Sequence, residues 1–196
     1  MKTLLLSKLM VASIFLAVNL YAGESVQTGV FYGYGDLKWG SSLEAAKVKY
    51  VDLVAVDASD KGSTQYEQLN PTKLIKTRAL SFYNNKLYKV YVEFNTDLDI
   101  QTYKAIMSKI TTPLGKAHQI DDKKDMVGNF YVSGVTQVWW FYDDKMYVDL
   151  KLWMYTTATG YNAGESFSVL YINKVIQGEM EQAQLDRASA ELEDIY

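Results

Sequence analysis

Phe82-Tyr83-Asn84-Asn85-Lys86-Leu87-Tyr88 is the stretch on which the fold turns. Two asparagines stand between flanks that alternate as strands do, TRALSFY before them and KLYKVYVEF after. Asparagine tolerates the positive φ that a two-residue hairpin turn demands, so the segment reads as strand, tight turn, strand. Glycine suits that conformation better still, so Asn85→Gly is expected to be tolerated or stabilising. The stretch is echoed by Phe141-Tyr142-Asp143-Asp144-Lys145-Met146-Tyr147, where aspartates take the turn. We read the two as corresponding hairpins in two similar halves of the chain.

Outward from the first hairpin, helix signals alternate with strand signals. Ser41 followed by Glu44 has capping-box spacing and opens a helix over Ser42 to Tyr50. Leu53 to Val56 reads as a short strand, and polar Asp57 to Pro71 as a loop. Asp99 is a good cap for a helix whose apolar residues Ile100, Tyr103, Ile106, Met107 and Ile110 recur at helical spacing. Thr111 to Gly115, with Pro113, is expected to end it. Phe167 to Ile172 supplies a last strand and Lys174 to Ile195 a last helix. The expected class is α+β, a mainly antiparallel sheet with helices on one face and two similar helix-plus-hairpin halves.

The first 22 residues read as an address. Lys2 and Lys8 precede the apolar run LMVASIFLAVNL (9–20), and small Ala22 stands before Gly23 as a cleavage point. The run is shorter than the roughly 20 residues a membrane span needs. The expected organisation is therefore a signal peptide over 1–22, a single α+β domain over 23–174 and an acidic helix or tail over 175–196. The product is expected to be periplasmic or secreted, with no stable membrane insertion after cleavage. Without Lys2 and Lys8 the chain carries 18 Lys/Arg against 23 Asp/Glu, and all of the excess lies after residue 175. The remainder is neutral and has no basic stripe, so a nucleic-acid partner is not expected.

Composition removes several chemistries. There is no cysteine and one histidine, His118, among 196 residues. Disulfides, thiolate metal sites, iron–sulfur clusters and thiol nucleophiles are excluded, and a multi-histidine metal site cannot be built in one chain. Neither cofactor nor metal is expected, and no catalytic residue is assigned. His118 precedes Asp121, Asp122 and Asp125, so a His–Asp base can be written down. No serine nucleophile motif accompanies it, and the segment reads as a solvated, charged loop.

The second hairpin is more informative. Alternation puts Trp139, Phe141, Met146, Val148, Leu150, Leu152 and Met154 on one face, which reads as core. The other face carries Val138, Asp149 and Lys151 with five aromatics: Trp140, Tyr142, Tyr147, Trp153 and Tyr155. Tyr and Trp combine a large apolar area with a hydrogen-bonding tip, which suits recognition, and these five are the candidate binding residues. The alternative is that a helix covers them. Leu185, Ala188, Leu192 and Ile195 form a narrow apolar stripe on the acidic last helix, which must dock either on this face or on a partner.

Trp39-Gly40-Ser41-Ser42, then FYNNKLYKVYVEF (82–94), then Leu114-Gly115-Lys116, taken in that order, resemble a broad group of exported bacterial proteins of unknown function. In that group a Trp-Gly-x-Ser helix start precedes a Phe-Tyr-Asn-Gly-Lys-Leu-Tyr hairpin, a helix and a Tyr-Gly-Lys-Pro turn. Here Asn85 stands in place of the Gly, Leu114 of the Tyr and Ala117 of the Pro. The layout is also similar to β-lactamase-inhibitor-like folds and small outer-membrane-assembly lipoprotein folds, whose members act by binding proteins. The resemblance implies a non-enzymatic binding or adaptor protein acting on another envelope protein or peptide. A small-ligand or glycan binder using the aromatic face is the alternative, and a hydrolase centred on His118 the third.

Overall fold

The structure, a computed structural model, describes residues 32–127, 130–141, 145–157, 159 and 162–193. The expected signal peptide, the Asp143-Asp144 turn and the candidate Tyr142 lie outside the described residues. Two short strands, β1 (Gly33–Tyr34) and β2 (Leu37–Lys38), pair as a hairpin ahead of helix α1 (Leu43–Lys49). A meander follows: β3 (Leu53–Val56), β4 (Thr64–Gln68), β5 (Ile75–Tyr83) and β6 (Lys86–Phe94). Helix α2 (Ile100–Leu114) then leads into a second meander, β7 (Gln119–Val127), β8 (Phe130–Phe141), β9 (Met146–Thr157) and β10 (Asn162–Asn173). Helix α3 (Lys174–Glu193) closes the chain's described part. The eight long strands form one antiparallel sheet in the order β3-β4-β5-β6-β10-β9-β8-β7. The fold is α+β, as the alternation of helix and strand signals implied.

Each half is thus a helix followed by a four-stranded meander, and the last strands of the two meanders meet at the centre of the sheet. The two sequence echoes do not correspond within these halves. Phe82–Tyr88 joins the third and fourth strands of the first meander, whereas Phe141 and Met146–Tyr147 belong to the second and third strands of the other. The echo reflects shared hairpin chemistry, because aromatic flanks and αL-tolerant turn residues serve any tight antiparallel pair.

Two further differences follow from pairing. Asp57 to Pro71 contains β4, which sits between β3 and β5. The charged stretch after His118 is the nine-residue edge strand β7, with Asp121, Asp122, Lys123, Lys124 and Asp125 in register with β8. Charges on an edge strand discourage pairing with foreign chains, so the pattern that resembled a solvated loop is that of a protected sheet edge.

One side of the sheet holds the main core. Leu80, Phe82, Leu87, Val90, Val92, Trp139, Val148, Leu150, Phe167 and Val169 are buried against Ala46 of α1 and Met107 and Leu114 of α2. Phe94 and Phe167 stack at 4.7 Å, and Tyr103 of α2 lies 5.5 Å from Phe167. The Trp139 indole N–H donates to the Gly115 carbonyl at 3.1 Å, fixing the end of α2 to β8. Asp99 caps α2 as expected, its Oδ1 accepting from the backbone N–H groups of Gln101 and Thr102. Pro113 lies inside the last turn of α2, and Gly115, at φ +72°, ends it. Arg78 is buried on the same side of the sheet, its guanidinium over the Tyr50 ring at 4.7 Å and its Nε donating to the Tyr34 hydroxyl, which ties the β1–β2 hairpin down.

The third helix takes the opposite side, which differs from the expectation of helices on a single face. Ile176 and Met180 of α3 pack on Tyr83 and Tyr88 in a second, smaller cluster. A bulge makes this possible: Ser81 pairs with Lys89 and Phe82 with Leu87, so Tyr88 is the extra residue. Asn173 caps α3, its Oδ1 accepting from the N–H groups of Val175 and Ile176 at 3.1 Å. Asp60 accepts from the Tyr88 hydroxyl at 2.5 Å and from Lys89 Nζ at 2.6 Å, and Gln184 donates to the Lys61 carbonyl, so the loop between β3 and β4 is held beneath the helix. Burial acts to raise the Asp60 pKa, but the hydrogen bonds from Lys89 and Tyr88 outweigh it and hold the carboxyl below its ordinary value.

Candidate functional site

The side of the sheet opposite α1 and α2 carries every other residue of the long strands. On β9 these are Tyr147, Asp149, Lys151, Trp153 and Tyr155, and on β8 they are Val132, Gly134, Thr136, Val138 and Trp140. The alternation expected from sequence therefore holds. Trp139, Met146, Val148, Leu150, Leu152 and Met154 are buried on the helix-covered side, while Trp140, Tyr147 and Trp153 are half-buried and Tyr155 is exposed on the other.

Four of the five candidate aromatics can be placed, and they form two groups. Trp140 stands across from Tyr147, ring centroids 6.2 Å apart. Trp153 and Tyr155 lie further along β9, about 20 Å and about 27 Å from Tyr147 at the rise of an extended strand. Asp149 and Lys151 occupy the positions between. Helix α3 packs at the Tyr83/Tyr88 end and meets the first group through Lys174 beside Tyr147, and Leu185 of its apolar stripe is 62% exposed.

Each group has a structural support that sequence reasoning missed. Gly134 is the residue across from Trp153. A Cβ there would lie 2.4 Å from the Leu152 carbonyl oxygen and 2.9 Å from Trp153 Cδ2, so the absent side chain is what lets the indole lie against β8. The signal was Gly134 alone in a strand-like run. His118 stands just before β7, its ring 6.0 Å from that of Trp140. Its backbone N–H donates to the Val138 carbonyl, and its Nδ1 accepts from the Trp140 backbone N–H at 3.1 Å. The imidazole thus serves the end of the β7–β8 ladder with Nδ1, and the residue is exposed.

The polar centre of the face is Asp149. It is 6% exposed, with Oδ2 accepting from Lys151 Nζ at 3.0 Å and from the Tyr147 hydroxyl at 3.4 Å. Burial first, and then the charge and hydrogen bond of Asp149, push the Tyr147 hydroxyl up to about 12. Lys174, the first residue of α3, places its Nζ 5.6 Å from the Tyr147 ring centroid. Among the described residues no group of three or more His, Cys, Asp or Glu could hold a metal ion, and no helix is long and apolar enough to cross a membrane.

No protein-family model matches the chain, and no curated protein matches it. Among solved structures it is similar to a cysteine-rich secretory protein from Staphylococcus aureus, at 12% identity and a TM-score of 0.36, over 70% of this chain and 45% of that one. This chain thus spans under half of that protein's length, and a likeness of this degree establishes neither a shared fold nor a shared role.

Proposed function

We propose that this is a binding protein of the bacterial envelope that engages another protein or peptide through the face of β8 and β9. The observation that carries the reading is the position of α3. It packs on Tyr83 and Tyr88, meets the aromatic face through Lys174 at Tyr147, and leaves Trp140, Trp153 and Tyr155 outside its cluster. Partly exposed Trp and Tyr around a charged centre are the composition from which binding hot spots are made. His118, engaged with the Trp140 backbone, lends support to a role in shaping this face rather than to hydrolysis.

A photo-crosslinking residue placed at 153 or 155, with one at exposed Val48 on α1 as control, tests the reading in cells. A discrete adduct from the first two positions and none from 48 is expected; equal adducts from all three, or none, would count against it. The export part of the reading predicts a mature N-terminus at Gly23, and recovery of an intact Met1 species in the membrane fraction would contradict it.

One observation favours a glycan or small-ligand reading as the second choice. Trp153 lies against Gly134 with a backbone floor beneath it, the arrangement of a stacking platform. Saturable quenching of tryptophan emission by envelope oligosaccharides, lost in Trp153→Ala, is its expected sign.

A further inference from the structure

Asp149 is the least ordinary group on the proposed binding face. One of its carboxylate oxygens, Oδ1, is buried with no hydrogen-bond partner among the described residues. The sheet explains why. The residues directly beside Asp149 are Val138 on β8 and Leu170 on β10, and neither offers a side-chain donor. Among the described residues its donors come from its own strand, Tyr147 and Lys151, and both serve Oδ2. A buried acceptor left without a donor is costly and rare in native folds.

The surroundings already accommodate cations in two ways. The Asp149 carboxylate holds the Lys151 ammonium, and the Tyr147 ring holds that of Lys174. Both lysines reach in from water: the Lys151 side chain is 45% exposed, and Lys174 is exposed at the start of α3. Each ammonium meets one part of the site. A guanidinium meets both at once, because its planar fork matches two carboxylate oxygens and its flat face stacks on an aromatic ring. Asp121 adds a second negative charge to the same side of the sheet, in register with Thr136.

We infer that the face of β8 and β9 recognises an arginine side chain of a protein partner, with Asp149 as its carboxylate and Tyr147 and Trp140 as its ring wall. Lys151 and Lys174 hold the place and move aside when the guanidinium arrives. The inference rests on the reading of this face as the partner's surface and names what that partner presents.

The probe is acetyl-triarginine-amide, titrated into the mature chain while the indole N–H signals of the tryptophans are followed by NMR, with acetyl-tricitrulline-amide as the uncharged control. A saturable shift of the Trp140 signal by the arginine peptide alone is expected. Asp149→Asn should weaken binding at least tenfold, whereas Asp122→Asn, the same charge change on β7 but on the other side of the sheet, should leave it unaltered. Lys151→Gln removes the internal competitor without touching the core and should tighten binding at least twofold. No saturable shift, equal loss in both aspartate variants, or weaker binding in Lys151→Gln would overturn the inference. If the peptide fails while residues 153 and 155 still crosslink to a partner, the arginine assignment alone falls. If the peptide binds as expected and no crosslink forms, the protein-binding reading falls instead.

Discussion

Asn85 Oδ1 accepts a hydrogen bond from the backbone N–H of Leu43 at 2.8 Å, so the turn of the β5–β6 hairpin caps the first turn of α1. The Asn85 Nδ2 also donates to Glu44 Oε2 at 3.2 Å, and the Leu87 and Ser41 main chains are bonded to each other beside it. The Trp-Gly-Ser-Ser segment and the asparagine hairpin are therefore one structural unit, 42 residues apart in sequence. Ser42, rather than Ser41, supplies the conventional cap, its Oγ accepting from Ala45.

This changes the expectation for Asn85→Gly. Asn84 and Asn85 do adopt positive φ, 48° and 59°, as a tight turn requires. Glycine would satisfy that conformation but would lose both side-chain bonds. The variant should be destabilised by about 1 kcal/mol, which for a chain of this size is roughly 2–4 °C in Tm by thermal denaturation. A Tm at or above that of the parent would show that the cap contributes nothing.

Gly134→Ala tests the support of Trp153. The added methyl meets backbone at 2.4 Å, which side-chain movement alone cannot relieve. A loss of about 1–3 kcal/mol in urea unfolding is expected, with a change in tryptophan emission as the indole is displaced.

Truncation after Gly178 tests how α3 is used. It removes Met180 from Tyr83 and Tyr88, the Lys86–Glu179 ion pair and the Gln184 bond to Lys61. The melting temperature should fall, since loss of a buried methionine side chain alone typically costs about 2 kcal/mol or more. Tryptophan emission of the still-folded protein should stay unchanged, because none of Trp39, Trp139, Trp140 and Trp153 packs in that cluster. A red shift would mean that the helix covers the aromatic face after all.

Alkaline titration should separate the tyrosines. Burial raises the hydroxyls of Tyr50, Tyr103 and Tyr147 to about 12, against an ordinary value of 10.0. Between pH 10 and 12 the neutral forms persist only in the fold, so the stability they contribute is complete below pH 10 and is lost as the pH rises toward 12. Absorbance at tyrosinate wavelengths should show a late-titrating class that merges with the rest in denaturant. Tyr147→Phe should reduce that class.

The sequence alone carried whatever depends on local periodicity and turn chemistry. The two-residue turn at Asn84–Asn85, the Asp99 cap, the strand Leu53–Val56 and the division of β9 into a core face and an aromatic face all follow from alternation or from a single residue's hydrogen-bonding habit. Tertiary structure decided what depends on long-range pairing. The charged run after His118 is a strand because β8 lies beside it, whatever its own propensity. Two look-alike hairpins occupy unlike places because seven residues cannot specify which strands of a meander they join. The orphaned oxygen of Asp149 exists because strand register sets Val138 and Leu170 on either side, and register between distant strands is settled by the packing of the whole sheet.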